Sequence, residues 1–444
     1  MRKFIVFFLL IISTVSFAQK IKTIEFNKDY HNVRVGKSSD LAYWLNFEKG
    51  RLYKVSVLQQ GIDVELILRD NNNKQILQKD SPNGVNGFET FEYFSNGNNT
   101  FKLIIKRVEE PGNPNGGKVS INVKKFSDSE YKLHEKIRHE LEVENNKNVQ
   151  TLDIDHFWQA FDNLKNCKTH LDSVESFQTL YLDRATNGLL DFMRIRNLTA
   201  EKFVTAVSRY PKFYNSVRKN TYEVKKAVPL INNIYSKFSK IYSNFKPFKV
   251  CFAIGVLSSG GTVSNNFVLI GTEIGTSTED VDLSEFKNNA LSKVLASGKN
   301  VVQKIKDIVA HECVHTQQSP TLDKNAIGCN LLYIVLREGI ADYIGEMLAG
   351  GQINEVAHKY GDKHEKELWA EFKAEMCKDD TKDWLYNYSD SKDRPADLGY
   401  YIGYKIAQSY YQNATDKKKA IADIIQMNNP LRFLELSRYD QKKK

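Results

Sequence analysis

The segment from His311 to His315 reads His-Glu-Cys-Val-His, and these residue types at this spacing could hold and use a metal ion. Residues four apart lie on the same face of an α-helix, so both imidazoles can reach one ion. Zn²⁺ favours such nitrogen ligands, and a carboxylate beside the first histidine can take a proton from a water on the metal. We therefore predict that His311 and His315 are metal ligands and that Glu312 is a catalytic general base.

A third ligand is expected in the apolar stretch from Asn330 to Ile344, which we predict to be a buried helix. Glu338 and Asp342 lie one helical turn apart in it, and buried carboxylates are costly to ionise unless positive charge meets them. The chain after His315 is long enough for the first helix to end, turn and return antiparallel. We predict that Glu338 is the third ligand and that Asp342 accepts the outer N–H of a ligating imidazole. Binding of Arg or Lys by these carboxylates in a packed core is the alternative.

The pattern HECVH followed by REGIADYIGE resembles that of the gluzincins, the thermolysin-like peptidases. In those enzymes a glutamate on a second helix completes the zinc site and an aspartate one turn later supports a histidine. From about Thr151 to Tyr439 the chain resembles more closely a bacterial family of zinc-dependent proteases, classed as a domain of unknown function and similar to gliding-motility lipoproteins. That resemblance rests on TLDIDHFWQAFD, RYPKFYNSVRKNT, FAIGVLSSGGTVSNNFVLIGTE, the zinc motif and DRPADLGYYIGYKIAQSYY. The gliding-motility relatives generally lack the zinc motif, so the fold does not guarantee the chemistry.

Two strands are predicted before the zinc motif, at 249–255 and 266–272, joined by the turn Ser258-Ser259-Gly260-Gly261. In gluzincins an edge strand borders the cleft and pairs with extended substrate. The resemblance implies this role for the second strand, whose main chain would bind peptides with little regard for their sequence. An ordinary sheet strand is the alternative. The expected substrate strand comprises Phe267, Val268, Leu269, Ile270 and Gly271.

After the zinc motif, two glycines and two tyrosines recur at four-residue spacing. Gly399 and Gly403 would permit close helix packing, while Tyr400 and Tyr404 share a neighbouring face. A tyrosine hydroxyl aimed at the zinc could stabilise a tetrahedral oxyanion, so each tyrosine is a candidate catalytic residue. Aromatic packing beside the zinc-binding helix is an equal alternative for either one.

The remaining histidines and cysteines carry weaker signals. His358 and His364 lie in a stretch rich in Lys and Glu and are predicted to be surface residues. The 5 cysteines are scattered, without a Cys-x-x-Cys pair, and most are expected to be small buried hydrophobic residues. A disulfide between Cys313 and Cys329, which flank the expected site, stays open.

The first 18 residues have the pattern of a secretory signal peptide. Arg2-Lys3 is followed by a short apolar run and by the small residues Ser16 and Ala18 at the expected cleavage site. The residue directly after Ala18 is Gln19 and not a cysteine, which argues against a lipoprotein anchor. No later apolar run is long enough to cross a bilayer. We expect a soluble, exported protein, periplasmic or secreted, without a transmembrane segment.

Residues 19–126 read as an antiparallel β-sandwich because short alternating segments are separated by turn residues. Examples are Leu52–Val57 and Val64–Leu68. The order DLAYWLNFEKGRLYKVSVLQQGIDVELILRD resembles the pre-peptidase C-terminal domain, a jelly-roll-like module of many secreted bacterial proteases. Residues 127–444 read as a mainly helical, gluzincin-like catalytic domain, with an active-site helix at about 300–318 and a glutamate helix at about 330–348.

The chain is basic, with a formal net charge of +9, but its lysines are spread out except for short runs such as 417–419. Nucleic-acid binding is therefore not expected. The sequence predicts a secreted metalloprotease with one Zn²⁺ per chain that acts on proteins or peptides, with surface or substrate binding open for the sandwich. The alternative is a non-catalytic envelope or surface-binding protein that retains a gluzincin-like fold. Metal-dependent hydrolysis of a non-peptide substrate also stays open.

Overall fold

The computed structural model describes residues 21–37, 40–81, 84–287, 291–298, 300–319, 328–388 and 394–442. The expected signal peptide lies outside these residues. The chain divides into two compact units, Met1–Lys132 and Leu133–Lys444, of which the first is rich in strands and the second is mostly helical. Within the described residues, no helix combines the length and the apolar character needed to cross a membrane.

The first unit is built from strands. They are β1 (Lys22–Thr23), β2 (Asp29–Gly36), β3 (Leu41–Phe47), β4 (Arg51–Gln60), β5 (Val64–Arg69), β6 (Gln75–Lys79), β7 (Asn86–Ser95), β8 (Asn99–Arg107) and β9 (Gly116–Lys125).

These strands form a sandwich of two sheets with the orders β2-β9-β4-β7 and β1-β3-β8-β5-β6. Alternate side chains of both sheets, such as Val55 and Val57 on β4 and Leu66 and Leu68 on β5, point into one core and are fully buried. Apart from β1, which pairs in parallel with β3, the strand order is that of a jelly roll. The predicted β-sandwich is confirmed.

The second unit consists of helices around a small sheet, and α1 runs across the boundary between the units. The helices are α1 (Asp128–Asn145), α2 (Leu152–Asn163), α3 (His170–Leu180), α4 (Asn187–Arg196), α5 (Ala200–Arg209), α6 (Pro211–Tyr222), α7 (Val224–Ile241), α8 (Thr272–Gly275), α9 (Leu291–Leu295), α10 (Val301–His315), α11 (Asn330–Ala349), α12 (Glu355–Glu375), α13 (Leu398–Asn413), α14 (Lys417–Ile425), α15 (Pro430–Ser437) and α16 (Tyr439–Lys442). Its strands are β10 (Val149–Gln150), β11 (Lys249–Ala253), β12 (Gly261–Val263) and β13 (Phe267–Gly271).

The small sheet has the order β10-β11-β13-β12. β13 pairs in parallel with β11 on one side and antiparallel with β12 on the other, and all five of its residues are buried. The prediction that Phe267, Val268, Leu269, Ile270 and Gly271 form the edge strand is therefore wrong. The short strand that starts at Gly261 reverses the chain and takes the edge position, so β11 and β13 are parallel.

Helices α10 and α11 run antiparallel, as predicted. His315 lies beside Glu338, His311 beside Asp342, and one turn further the backbone of Ala310 faces Gly345. α10 begins where the Asn300 side chain accepts a hydrogen bond from Gln303 N at 3.0 Å. Most of α11 is buried, which explains why its sequence is apolar on nearly every face.

Helix α13 crosses α11 at backbone contact. A Cβ atom on Gly339 would overlap the backbone at Gly403, and one on Gly403 would overlap the carbonyl oxygen of Val335. A Cβ on Gly399 would lie 2.9 Å from Val335 and from Leu385. The prediction that Gly399 and Gly403 permit close helix packing is confirmed, and the crossing brings the start of α13 next to Glu338.

Candidate metal centre

Three predicted ligands meet between α10 and α11. The Nε2 atoms of His311 and His315 are 3.1 Å apart. Glu338 Oε2 lies 3.4 Å from Nε2 of His311 and 3.5 Å from Nε2 of His315. Among the described residues, these three side chains form the group whose ligand atoms are close enough together to hold one metal ion.

Hydrogen bonds assign the tautomer of His311. Its Nδ1 lies 2.7 Å from Asp342 Oδ1, so Nδ1 carries the proton and the lone pair of Nε2 faces the cluster. Asp342 is fully buried, and its other oxygen accepts a hydrogen bond from Asn354 Nδ2 at 2.6 Å. The aspartate thus has the orienting contact with a histidine that the sequence predicted.

A side-chain amide orients the second histidine. Nδ1 of His315 lies 2.9 Å from Gln318 Oε1, and Gln318 Nε2 donates to the Arg337 carbonyl oxygen at 2.9 Å. The bond to that carbonyl fixes the amide with its oxygen toward His315. Nδ1 of His315 is therefore the donor, and its Nε2 also presents a lone pair to the cluster.

The spacing and chemistry of the three atoms fit zinc. Two atoms bound at about 2.0–2.1 Å to a tetrahedral ion lie about 3.3 Å apart, and the three observed separations are 3.1, 3.4 and 3.5 Å. Two imidazole lone pairs and a carboxylate oxygen would repel each other at these distances without a cation or proton between them. His311, His315 and Glu338 therefore fit a resident Zn²⁺.

The electrostatics of the cluster also favour positive charge. Burial acts to lower the pKa of His311, but its contacts with Asp342 and Glu338 hold that pKa well above its usual value. Burial acts to raise the pKa of Glu338, yet His315 and His311 hold it well below its usual value. The opposite shifts have one cause: the histidine and the carboxylates each stabilise the charged form of the other.

Glu312 is placed against the edge strand of the small sheet. A Cβ atom on Gly261, the first residue of β12, would overlap the Glu312 carboxylate. Burial raises the pKa of Glu312, while the nearby His311, His315 and Arg196 act to lower it. A carboxylate with a raised pKa beside the two imidazoles could accept a proton, as the predicted general base must.

The loop that leads into β12 is fixed by a buried carboxylate of α8. Glu273 accepts hydrogen bonds from Gly255 N at 2.7 Å and from Leu257 N at 2.9 Å. Leu257 has a φ of +63°, a backbone conformation that residues other than glycine adopt at a cost in conformational energy. Burial raises the pKa of Glu273 to about 7, against the opposite effect of these two donors. Glu273 thus holds the backbone that presents Gly261 to Glu312.

The two predicted tyrosines of α13 have different surroundings. The Tyr400 ring lies beside His311, with ring centroids 5.9 Å apart. Tyr404 instead packs against His358 and Tyr343, with centroids 4.4 and 5.2 Å apart. The structure therefore brings Tyr400 next to a candidate ligand, whereas Tyr404 has the packing contacts of the alternative interpretation.

A third tyrosine, not identified from the sequence, contacts a ligand directly. The Tyr386 hydroxyl donates to Glu338 Oε1 at 2.9 Å. Gln318 and Asn354 were also not identified. Gln318 lies three residues after His315, a spacing that places it near the same helical face and could have indicated it. For Asn354 and Tyr386, which approach from loops, the sequence carries no periodic signal.

The structure also corrects the prediction for His358 and shows the pairing of the cysteines. His358 is buried, with 2% of its surface exposed, because α12 places it against Tyr401 and Tyr404. The prediction that His358 is a surface residue is therefore wrong. Cys329 forms a disulfide with Cys377 rather than with Cys313, which is free and buried. That disulfide joins the start of α11 to the segment after α12.

Parts of the chain are similar to known proteins. Residues 290–429 match the model of a family described as "Predicted Zn-dependent protease (DUF2268)", and this segment contains α10, α11 and α13. Among solved structures, the chain is similar to the pre-peptidase C-terminal domain of a collagenase from Bacillus anthracis. That match has 16% identity and a TM-score of 0.20, and it covers 24% of this chain and 96% of that chain. No curated protein matches the sequence.

Proposed function

We propose that this protein is a zinc metalloprotease that hydrolyses peptide bonds in proteins or peptides, with one Zn²⁺ held by His311, His315 and Glu338. The observation that carries the proposal is the convergence of three lone-pair ligand atoms within 3.5 Å of each other, with Glu312 on the same helix. The match to a family described as a predicted zinc-dependent protease supports the same reading.

In the proposed mechanism the protein supplies the base and the orientation. Zinc, when bound, lowers the pKa of a water molecule and polarises the scissile carbonyl. Glu312 takes the proton from that water and passes it to the leaving amine. Asp342 and Gln318 keep the two imidazoles in the tautomer and orientation that the metal needs. Of the two predicted tyrosines, Tyr400 is the one proposed to act near the reacting carbonyl, which its ring position beside His311 supports.

The substrate is proposed to bind along β12 as an added strand. β12 is the edge of its sheet among the described strands, and its three residues are partly exposed. Its first residue, Gly261, lies against the general base. Main-chain pairing with this edge would place an extended peptide beside Glu312 without regard for most of its side chains.

The cellular place and the domain division are also proposals. The first 18 residues support export to the periplasm or the medium, because they have the composition of a signal peptide. We propose a sandwich domain at 19–126 and a catalytic domain at 127–444. The division of the chain into two compact units, with the boundary in the sequence between Lys132 and Leu133, supports this proposal.

Replacing the base tests the proposed chemistry. Glu312→Gln keeps nearly the same shape but cannot take the proton, so zinc content should stay at one per chain while peptide cleavage falls about 100-fold or more. Glu367→Gln, an exposed glutamate paired with His364, is the matched control and should cleave normally. The measurement is metal content together with digestion of a broad peptide mixture.

Retained zinc with normal cleavage in Glu312→Gln would refute the base assignment. A zinc-loaded wild-type chain that cuts no peptide would favour the non-catalytic or non-peptide alternatives.

A further inference from the structure

The two oxygens of Glu338 have different partners. Oε2 faces Nε2 of His311 at 3.4 Å and Nε2 of His315 at 3.5 Å. Oε1 points the other way and accepts the hydrogen bond from Tyr386 at 2.9 Å. One oxygen is therefore directed at the metal position, and the other is occupied by a phenol.

The fold maintains Tyr386 at a conformational cost. The residue has a φ of +59°, in the left-handed region that an aromatic residue adopts unfavourably. Its neighbours Trp384 and Leu385 are 1% exposed, which anchors the loop, and its backbone N–H donates to Asp397 Oδ1 at 2.5 Å. The Tyr386 residue itself is 63% exposed. An exposed ring contributes little to the core, so the strained conformation is better explained by the contact of its hydroxyl with Glu338.

A free second oxygen on Glu338 would matter for a zinc hydrolase. Carboxylates bind metals through one or both oxygens, and a catalytic zinc has three protein ligands and a fourth position for water or substrate. A glutamate bound through both oxygens would crowd that position. A hydrogen bond to Oε1 reduces its ability to bind the ion and fixes the carboxylate plane.

We propose that Tyr386 is a positioning residue of the metal centre, which holds Glu338 as a one-oxygen ligand and thereby keeps the fourth coordination position open. This inference rests on the metal site of the proposed function. It concerns coordination and not the reaction itself. The Tyr386 hydroxyl also has a hydrogen bond with that of Tyr400.

The test uses the full mature chain loaded with Co²⁺, whose visible absorption reports coordination number. Tyr386→Phe removes only the hydroxyl and should weaken the absorption of the Co²⁺ protein, as four-coordinate metal gains a fifth ligand oxygen. The affinity for Zn²⁺, measured by competition with a chelator, should fall by about 10-fold. Tyr410→Phe is the matched control, because it likewise removes one tyrosine hydroxyl that donates to a carboxylate, here that of Asp423 at 3.0 Å. It should leave both readouts unchanged.

The outcomes separate the inference from the function it rests on. An unchanged spectrum and affinity in Tyr386→Phe, or equal changes in both variants, would overturn the role of Tyr386 and leave the metal site intact. A wild-type chain that binds neither Co²⁺ nor Zn²⁺ would overturn the metal site itself. Circular dichroism of the metal-free variants verifies that each is folded.

Discussion

Asp342 shows how single residues determine whether this cluster can bind a metal. Its carboxylate accepts from His311 through one oxygen and from Asn354 through the other, and it has no exposed surface. Both contacts require an acceptor. The aspartate therefore selects the His311 tautomer whose Nε2 lone pair is free for zinc.

Asp342→Asn should weaken zinc affinity by about 10–100-fold and leave the fold intact, because an amide can accept from only one of these two donors. Competition with a chelator measures the affinity. Asp362→Asn is the control, since that exposed aspartate of α12 accepts a hydrogen bond from Tyr401. An affinity equal to that of the control variant would show that Asp342 belongs to a different network.

At the residue scale, the sequence predicted the atoms of the site that follow helical spacing. His311, His315, Glu338 and Asp342 all lie on helices whose period is fixed, so their faces can be deduced. Tyr386 could not be deduced, because its position depends on a loop in a strained conformation and on the crossing of α13 over α11. The sequence also could not distinguish Tyr400 from Tyr404, because the two differ in the side chains that they meet in the folded chain: His311 for Tyr400, and His358 and Tyr343 for Tyr404.

At the scale of elements, the spacing between β12 and α10 controls where Glu312 lies. Gly261 is the residue of β12 that contacts the carboxylate, and any side chain there would need the same space. Gly261→Ala should displace Glu312 and lower peptide cleavage by about 10-fold or more, while zinc remains bound. Cleavage rate and metal content are measured on the same preparation.

A second glycine provides the control for that substitution. A Cβ on Gly351 would meet Gln303 at an ordinary 3.4 Å, so Gly351→Ala should keep full activity. Normal cleavage by Gly261→Ala would show that Glu312 tolerates the displacement and that the edge of β12 does not border the reacting groups.

Elements with a strong period were predictable, and the order of short strands was not. The active-site and glutamate helices were expected at about 300–318 and 330–348, and they span Val301–His315 and Asn330–Ala349. β13 is apolar throughout, which predicts a buried strand but gives no information on its neighbours. The three-residue strand β12, rich in small residues, carried no signal that it would form the edge.

At the scale of the whole molecule, buried carboxylates link stability to pH. Glu273 is fully buried and has a pKa of about 7, against an ordinary value of 4.5. Between these pH values the Glu273 carboxyl of the folded protein retains a proton that the same group of the unfolded chain loses. The contribution of this protonated carboxyl to the free energy of unfolding is therefore complete below pH 4.5 and is lost as the pH rises through 7. The loss is at most about 1.4 kcal/mol per pH unit.

Glu273→Gln should remove this pH dependence. The free energy of unfolding of the wild type relative to the variant should therefore decrease as the pH rises from 5 to 7.5, by up to about 3 kcal/mol. Urea denaturation of the metal-free proteins at both pH values measures the difference. A difference that stays constant with pH would mean that Glu273 is ionised throughout, as its two N–H donors favour.

The two compact units predict separable roles. The sandwich has its own core, and all residues to which we assign a role in metal binding or catalysis lie in the second unit. A chain that begins at Ser127 should fold, bind zinc and cut small peptides, and lose at most the cleavage of large or surface-bound substrates. Zinc content and peptide digestion are compared with those of the full mature chain. A folded, zinc-loaded fragment that cuts none of the peptides cut by the full chain would show that the sandwich helps to form the cleft.

The most direct measurement is the rate of peptide cleavage by metal-free protein as Zn²⁺ is added in small steps. If His311, His315 and Glu338 form one catalytic site, the rate should rise in proportion to zinc and level off at one equivalent per chain. A rate that does not depend on zinc, or a fully loaded chain that cleaves no peptide in a broad mixture, would contradict the assignment of this protein as a zinc metalloprotease.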